Sequence, residues 1–71
     1  MDDIIYDPVE QTPEYLAIER VLKIKIRSKI GEGGYLGYCF LYWECKKHIL
    51  REEYGIEWHS PAELNPHVIF D

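Results

Sequence analysis

The chain has 71 residues, a formal net charge of −5 at pH 7, and a composition that is 46% hydrophobic and 14% aromatic. A chain of this length buries only about 60% of its unfolded surface, so it has one small core and little room for a deep catalytic cleft. We therefore expect a single non-enzymatic domain spanning residues 1–71, and the apolar content argues against a disordered chain.

The first residues, MDDIIYD, are acidic where a secretory signal is basic, and no apolar run reaches the roughly 18 residues of a membrane span. The two cysteines are compatible with buried thiols in a reducing compartment. We expect a cytoplasmic protein without a membrane partner.

Residues 1–11 form an N-terminal arm in which Ile4, Ile5 and Tyr6 are the apolar part of a short extended segment. Thr12, Pro13 and Glu14 then mark a helix start, because threonine caps, proline suits the first turn and an acid complements the helix N-terminus. Apolar residues follow at helical spacing, which predicts a helix from Pro13 to about Lys29. They are Tyr15, Ile18, Val21, Leu22, Ile26 and Ile30.

Residues 22–30, LKIKIRSKI, also alternate between apolar and basic side chains, as a half-buried strand does. The glycine-rich residues 31–34 would join them to residues 35–43 as a β-hairpin. The alternative fold is therefore α+β, with a helix, a β-hairpin at 22–30 and 35–43, and a second helix.

The segment from Tyr35 to Gly55 is the densest apolar stretch and predicts the second helix, which Gly55 ends in a left-handed cap. It carries two apolar stripes, and a helix that is apolar on two sides is usually buried on two sides. One stripe contains Leu36, Cys39, Phe40, Trp43, Leu50 and Tyr54, with the Lys47 stem beside them. The other contains Tyr38, Leu41, Tyr42, Cys45 and Ile49.

After Gly55 we expect a docked tail, residues 56–71, with Trp58 packed under the helices. Ser60 and Glu63 make a capping box, and Pro66 restricts this third helix to one turn at residues 61–64. The last residues, 67–71, are apolar enough to dock and to pair with residues 4–6.

The predicted fold is thus mostly α: an antiparallel helical hairpin at 12–55, a one-turn C-terminal helix, and short extended segments at both ends. The predicted core consists of eight residues. They are Ile18, Leu22, Ile26, Leu36, Phe40, Trp43, Leu50 and Trp58.

The residues with reactive or metal-binding side chains form no recognisable site. The turn at residues 31–37 lacks the glycine spacing of a dinucleotide site and the lysine of a P-loop. The cysteines and histidines lack the paired spacings of a structural zinc site. Cys45, His48 and Glu52 follow one another along a single helix, where a nucleophile, a base and an orienting group rarely converge on a cleft. We expect no catalytic residues, no metal and no cofactor.

The two-sided apolar helix suggests a protein–protein interaction module, either bound to a protein partner or self-associating as a homodimer, since large exposed apolar patches mark interfaces. We assign partner binding to the second stripe, at Tyr38, Tyr42 and Ile49. An alternative is nucleic-acid binding, in which the aromatics of 35–43 stack on bases and basic side chains contact the phosphates. Those basic residues are Lys23, Lys25, Arg27, Lys29, Lys46 and Lys47.

Overall fold

The computed structural model of the chain describes residues 4–70. In chain order they form a 3-10 helix at Pro8–Gln11 and three α-helices, which are α1 (Pro13–Ile30), α2 (Tyr38–Tyr54) and α3 (Pro61–Leu64). No strand occurs within these residues. The predicted mostly-α fold with two long helices is confirmed.

Helix α1 begins where its capping residues predicted. The Thr12 hydroxyl oxygen accepts a hydrogen bond from the Tyr15 backbone N–H at 3.3 Å, and Pro13 occupies the first turn. The helix ends at Gly31, whose N–H donates to the Arg27 carbonyl at 2.8 Å and whose φ of 78° suits glycine.

The β-hairpin alternative is wrong. Leu22 and Ile26, four residues apart, are buried, whereas Ile24 between them is 63% exposed and Lys25 is half-buried. A strand would place Leu22, Ile24 and Ile26 on one side, so the burial follows a helical period. The capped start at Thr12 lets the helix continue through the alternating residues.

The turn between the long helices is held by Tyr38. Its hydroxyl donates to the Gly31 carbonyl at 2.7 Å, so the side chain folds back over the turn. A Cβ atom at Gly33 would lie 2.6 Å from the Tyr38 ring, which explains why glycine is needed there.

The second half of the chain folds largely as predicted. Gly55 takes a left-handed conformation with φ of 64°, and the Ile56 N–H donates to the Leu50 carbonyl at 2.9 Å. Ser60 and Glu63 form the predicted capping box of α3, and Trp58 is buried against the core.

Contacts between α1 and α2 extend into the C-terminal half of α2. The Lys46 ammonium lies 5.2 Å from the centre of the Tyr15 ring, and the Lys25 ammonium reaches the Tyr54 hydroxyl at 3.0 Å. Among the described residues, six buried side chains form the hydrophobic core cluster. They are Tyr15, Leu22, Ile26, Ile49, Leu50 and Trp58.

Two of the eight predicted core residues are wrong. Leu36 is 84% exposed in the turn before α2, and Phe40 is 44% exposed in the first turn of α2. Trp43 and Ile18 are only partly buried and pack at the edge of the core. The remaining four predicted core residues are fully buried.

The two ends of the chain meet differently from the prediction. Within the described residues, the side chain of Asn65 makes both hydrogen bonds to the backbone of Ile5, and no backbone hydrogen bond joins residues 67–70 to residues 4–6. Phe70 packs edge-on against Trp43 with ring centres 5.1 Å apart, whereas Ile69 is 93% exposed. Residues 1–3 and 71 of the predicted arm and tail lie outside the described residues.

Candidate interaction surface

Helix α2 is apolar on two sides, and its own chain covers them unequally. The side that carries Tyr42, Cys45 and Ile49 packs against the core and α1. The N-terminal part of the other side is open, with Phe40 in the first turn of α2 and Leu36 in the turn before it, and Trp43 beside them is partly buried. The stripe that the sequence predicted as core is therefore open at its N-terminal end, whereas Leu50 of the same stripe is buried.

Aromatic rings continue this open side into the C-terminal tail. The Phe40 and Trp43 rings meet edge to face with centres 5.7 Å apart, and Phe70 meets Trp43 in the same way at 5.1 Å. Such contacts fix the rings against one another while part of their surface stays open to solvent. We call Leu36, Phe40, Trp43 and Phe70 the aromatic face.

A cleft of about 180 Å³ borders the aromatic face. Phe40 and Trp43 supply its apolar wall, and Lys47 and Glu63 form an ion pair across it. Glu44 and Ser60 complete the lining. An apolar wall with charges of both signs at the rim suits an apolar side chain from another protein segment.

The residues to which the sequence assigned partner binding belong mainly to the fold. Ile49 is 1% exposed in the core, so the prediction of a surface role for Ile49 is wrong. Tyr42 is half-buried against the core, and its pKa is raised by burial. Tyr38 holds the inter-helix turn through its bond to Gly31. The two apolar stripes predicted for this segment have similar apolar content, so the sequence did not indicate which of their residues the rest of the chain would bury.

Three of the six basic residues in the nucleic-acid hypothesis have partners inside the fold. Lys25 pairs with Glu53 at 2.6 Å and contacts the Tyr54 hydroxyl, and Lys47 pairs with Glu63. Lys46 lies between two aromatic rings, as described below. Lys23, Arg27 and Lys29 remain exposed on α1.

Lys46 is the most enclosed of these cations. Its ammonium lies 4.6 Å from the centre of the Trp58 ring and 5.2 Å from that of the Tyr15 ring. Burial lowers the pKa of Lys46, an effect that the nearby Glu10 and Glu19 carboxylates partly oppose. Its position explains how a lysine is accommodated beside the core, since cations bind favourably to aromatic faces.

Acidic residues of the arm contact the segment before α3, which the sequence did not predict. The Asp7 carboxylate accepts hydrogen bonds from the backbone N–H of His59 at 2.8 Å and of Val9 at 3.0 Å. It also contacts the His59 ring at 3.0 Å. The Trp58 indole N–H donates to the Glu10 carboxylate at 2.8 Å. Only the acidic composition of the arm hinted at these contacts.

These contacts set the titration of Asp7. Burial acts to raise the pKa of Asp7, but the bonds from Val9 and His59 outweigh it and hold the pKa below its ordinary value of 3.8. Asp7 is therefore a charged anchor of the arm at neutral pH.

The cysteines and histidines of the described residues are not arranged as a metal-binding site. Within residues 4–70, no group of three or more histidine, cysteine, aspartate or glutamate side chains is placed to hold a metal ion. Burial raises the pKa of the Cys45 thiol, which opposes formation of the thiolate that nucleophilic catalysis needs.

Comparisons with protein-family models, with curated proteins and with solved structures find no match for this chain. None of the helices in the described part of the chain is long and apolar enough to cross a membrane.

Proposed function

We propose that this protein is a small non-enzymatic interaction module that self-associates through the aromatic face. One observation carries the proposal. At the N-terminal end of α2, Phe40 at 44% exposure and Leu36 of the preceding turn at 84% exposure are left open by their own chain. Neighbouring large apolar side chains exposed on a small protein mark an interaction site.

A second copy of the chain is the occupant that the charges favour. A two-fold axis near Phe40 would place two α2 helices side by side in opposite directions, as isologous dimers require. The turn of one copy, which carries Glu32, would then lie near Lys47 and Arg51 of the other. These side chains are on the surface of the monomer and have opposite charges, so the surface around Phe40 is complementary to itself.

The open cleft provides a place for the most exposed side chain of the face. In the same arrangement, Leu36 of one copy faces the helical turn of the other that contains Phe40 and Glu44, at the cleft. Insertion of Leu36 would cover its apolar surface and the open part of the Trp43 ring. A standard interface takes roughly 800 Å² from each partner, which is about 15% of the 5294 Å² surface of this chain.

Sedimentation equilibrium of matched variants tests the proposal. We expect the wild-type chain to form a dimer that persists at high salt, because apolar burial is not screened by ions. Leu36→Ser should shift the chain to the monomer. Ile24→Ser is the control, since Ile24 is 63% exposed on α1, away from the face.

Two results would count against this surface. A dimer that survives Leu36→Ser but is lost in Ile24→Ser would place the interface on α1. If the wild-type chain is monomeric at all concentrations, the aromatic face is not an interface between copies. An oligonucleotide titration of such a monomer would then test the basic residues Lys23, Arg27 and Lys29.

A further inference from the structure

We infer that Trp58, His59 and Asn65 form a binding site for an acidic peptide that is extended at its first residues and continues as a 3-10 turn, and that residues 4–11 of this chain occupy that site as an internal ligand. We call these three residues the peptide groove. This inference does not depend on the aromatic face or on self-association.

Asn65 is the buried centre of the groove. Its side chain is 0% exposed, and its amide makes three hydrogen bonds of 2.8–2.9 Å. Two of them join the N–H and the carbonyl of Ile5, as a neighbouring strand would, and the third goes to the Pro61 carbonyl. A buried side-chain amide that pairs with both backbone groups of one residue binds an extended chain without selecting its side chain.

The two acids of the arm add the selectivity. Asp7 is bound by the backbone N–H and the ring of His59, and Glu10 accepts from the Trp58 indole. The Lys46 ammonium lies over the Trp58 ring, 4.6 Å from its centre, so a carboxylate at Glu10 is also favoured by charge. The preferred ligand has an extended residue, an aspartate two positions later, and a glutamate three positions after that.

The arm at residues 4–11 is held mainly by hydrogen bonds, whereas the helices are held together by buried apolar side chains. Ile5 is 55% exposed and Tyr6 is 60% exposed, so their side chains do not anchor the arm by burial. Directional bonds to backbone and carboxylate groups hold it, together with the partly buried Val9. Any other chain with these groups at the same spacing can make the same bonds.

The attached arm has an advantage over a free peptide, because attachment gives it an effective concentration on the order of millimolar or more. The wild-type groove is therefore blocked to peptides of moderate affinity. Weakening the attached arm without altering the groove should open it. The double variant Ile5→Pro/Asp7→Ala removes the N–H that Asn65 binds and the carboxylate that His59 binds, and keeps all three groove residues.

The Trp58 indole N–H reports on the groove directly, because it bonds to Glu10 at 2.8 Å. In ¹H–¹⁵N spectra of the full-length double variant, we expect this signal to move on addition of a synthetic peptide, IIYDPVEQ, and to saturate. A control peptide with alanine in place of its aspartate and glutamate should bind roughly ten to a hundred times more weakly. The wild-type protein should show no shift at the same peptide concentration.

Circular dichroism first establishes that the double variant keeps its helices. If it does not, Asp7→Ala alone is used with the same criterion, because Asp7 lies outside the buried core. Absence of a saturable shift in the folded variant would overturn the inference. Equal binding of the control peptide would overturn the assigned roles of the two acids.

Discussion

The two ends of one apolar stripe of α2 have similar apolar content but different positions in the fold. At the C-terminal end, Leu50 is buried in the core beside Ile49 of the other stripe. At the N-terminal end, Phe40 is open, as is Leu36 in the turn before α2, and Trp43 is covered in part by Phe70. The difference shows that apolar periodicity identifies what a helix can bury, whereas the position of its neighbour decides what it does bury.

The largest expected difference in unfolding free energy is between alanine variants of two leucines, Leu50 in α2 and Leu36 in the turn before it. Leu50→Ala should lower the free energy of unfolding by about 2–5 kcal/mol, because Leu50 is fully buried and the truncation leaves a cavity. Leu36→Ala should change it by less than about 0.5 kcal/mol, since Leu36 is mostly in solvent. Urea unfolding measures both at a concentration where each variant is monomeric. Equal losses of unfolding free energy in Leu50→Ala and Leu36→Ala would contradict the assignment of Leu50 to the core and of Leu36 to the open surface.

The two tryptophans provide a second matched pair. Trp58→Phe should cost about 2–3 kcal/mol of unfolding free energy, because it removes the indole bond to the Glu10 carboxylate and weakens the contact with Lys46. Trp43→Phe keeps a ring on the aromatic face and removes no such bond, so it should cost less than about 1 kcal/mol. Thermal or urea unfolding tests the order, and a larger cost at Trp43 would show that it belongs to the core.

Acid should weaken the contact between the arm and the groove. Asp7 has a lowered pKa in the folded chain, so its stabilising contribution is complete above pH 3.8 and is lost as the pH falls through the folded pKa. We expect Asp7→Asn to lose about 1 kcal/mol relative to wild type at pH 7, and less at pH 3. Urea unfolding at the two pH values measures this. Glu14→Gln is the control, since Glu14 is exposed in the first turn of α1. A constant difference between wild type and Asp7→Asn would contradict the role of Asp7.

The smallest effect concerns the rim of the cleft. Lys47→Ala should lower the unfolding free energy by at most about 1 kcal/mol, because Lys47 and Glu63 are each 44% exposed and solvent screens their pair. It should weaken the proposed dimer more clearly, as Lys47 faces the acidic turn of the second copy there. A large loss of stability in monomeric Lys47→Ala would show that the pair supports the fold rather than the rim.

Much of the fold is predictable from local chemistry. Thr12 with Pro13, Gly55, and Ser60 with Glu63 each set a helix boundary through contacts within a few residues, and each behaves as expected. The alternating pattern of residues 22–30 suggested the incorrect β-hairpin alternative. The same residues also have the helical spacing of Leu22 and Ile26, which predicted the observed helix.

The surfaces were harder to predict, because they depend on contacts between distant residues. Leu36 and Phe40 fit a core stripe as well as Leu50 of the same stripe does, yet Leu50 is fully buried and the other two are exposed. The link between Asn65 and Ile5 spans 60 residues and leaves no periodic signal. From the sequence, Asn65 could be identified only as the residue that precedes Pro66, and its contact with Ile5 could not be predicted.

A dilution series followed by the two indole signals tests the central claim most directly. Trp43 lies on the aromatic face and Trp58 in the core, so each reports on one side of α2. We predict that the Trp43 signal moves with protein concentration along a monomer–dimer curve while the Trp58 signal stays fixed. A Trp43 signal that is independent of concentration, or a concentration-dependent shift at Trp58 alone, would contradict the claim that the open side of α2 is an interface between copies.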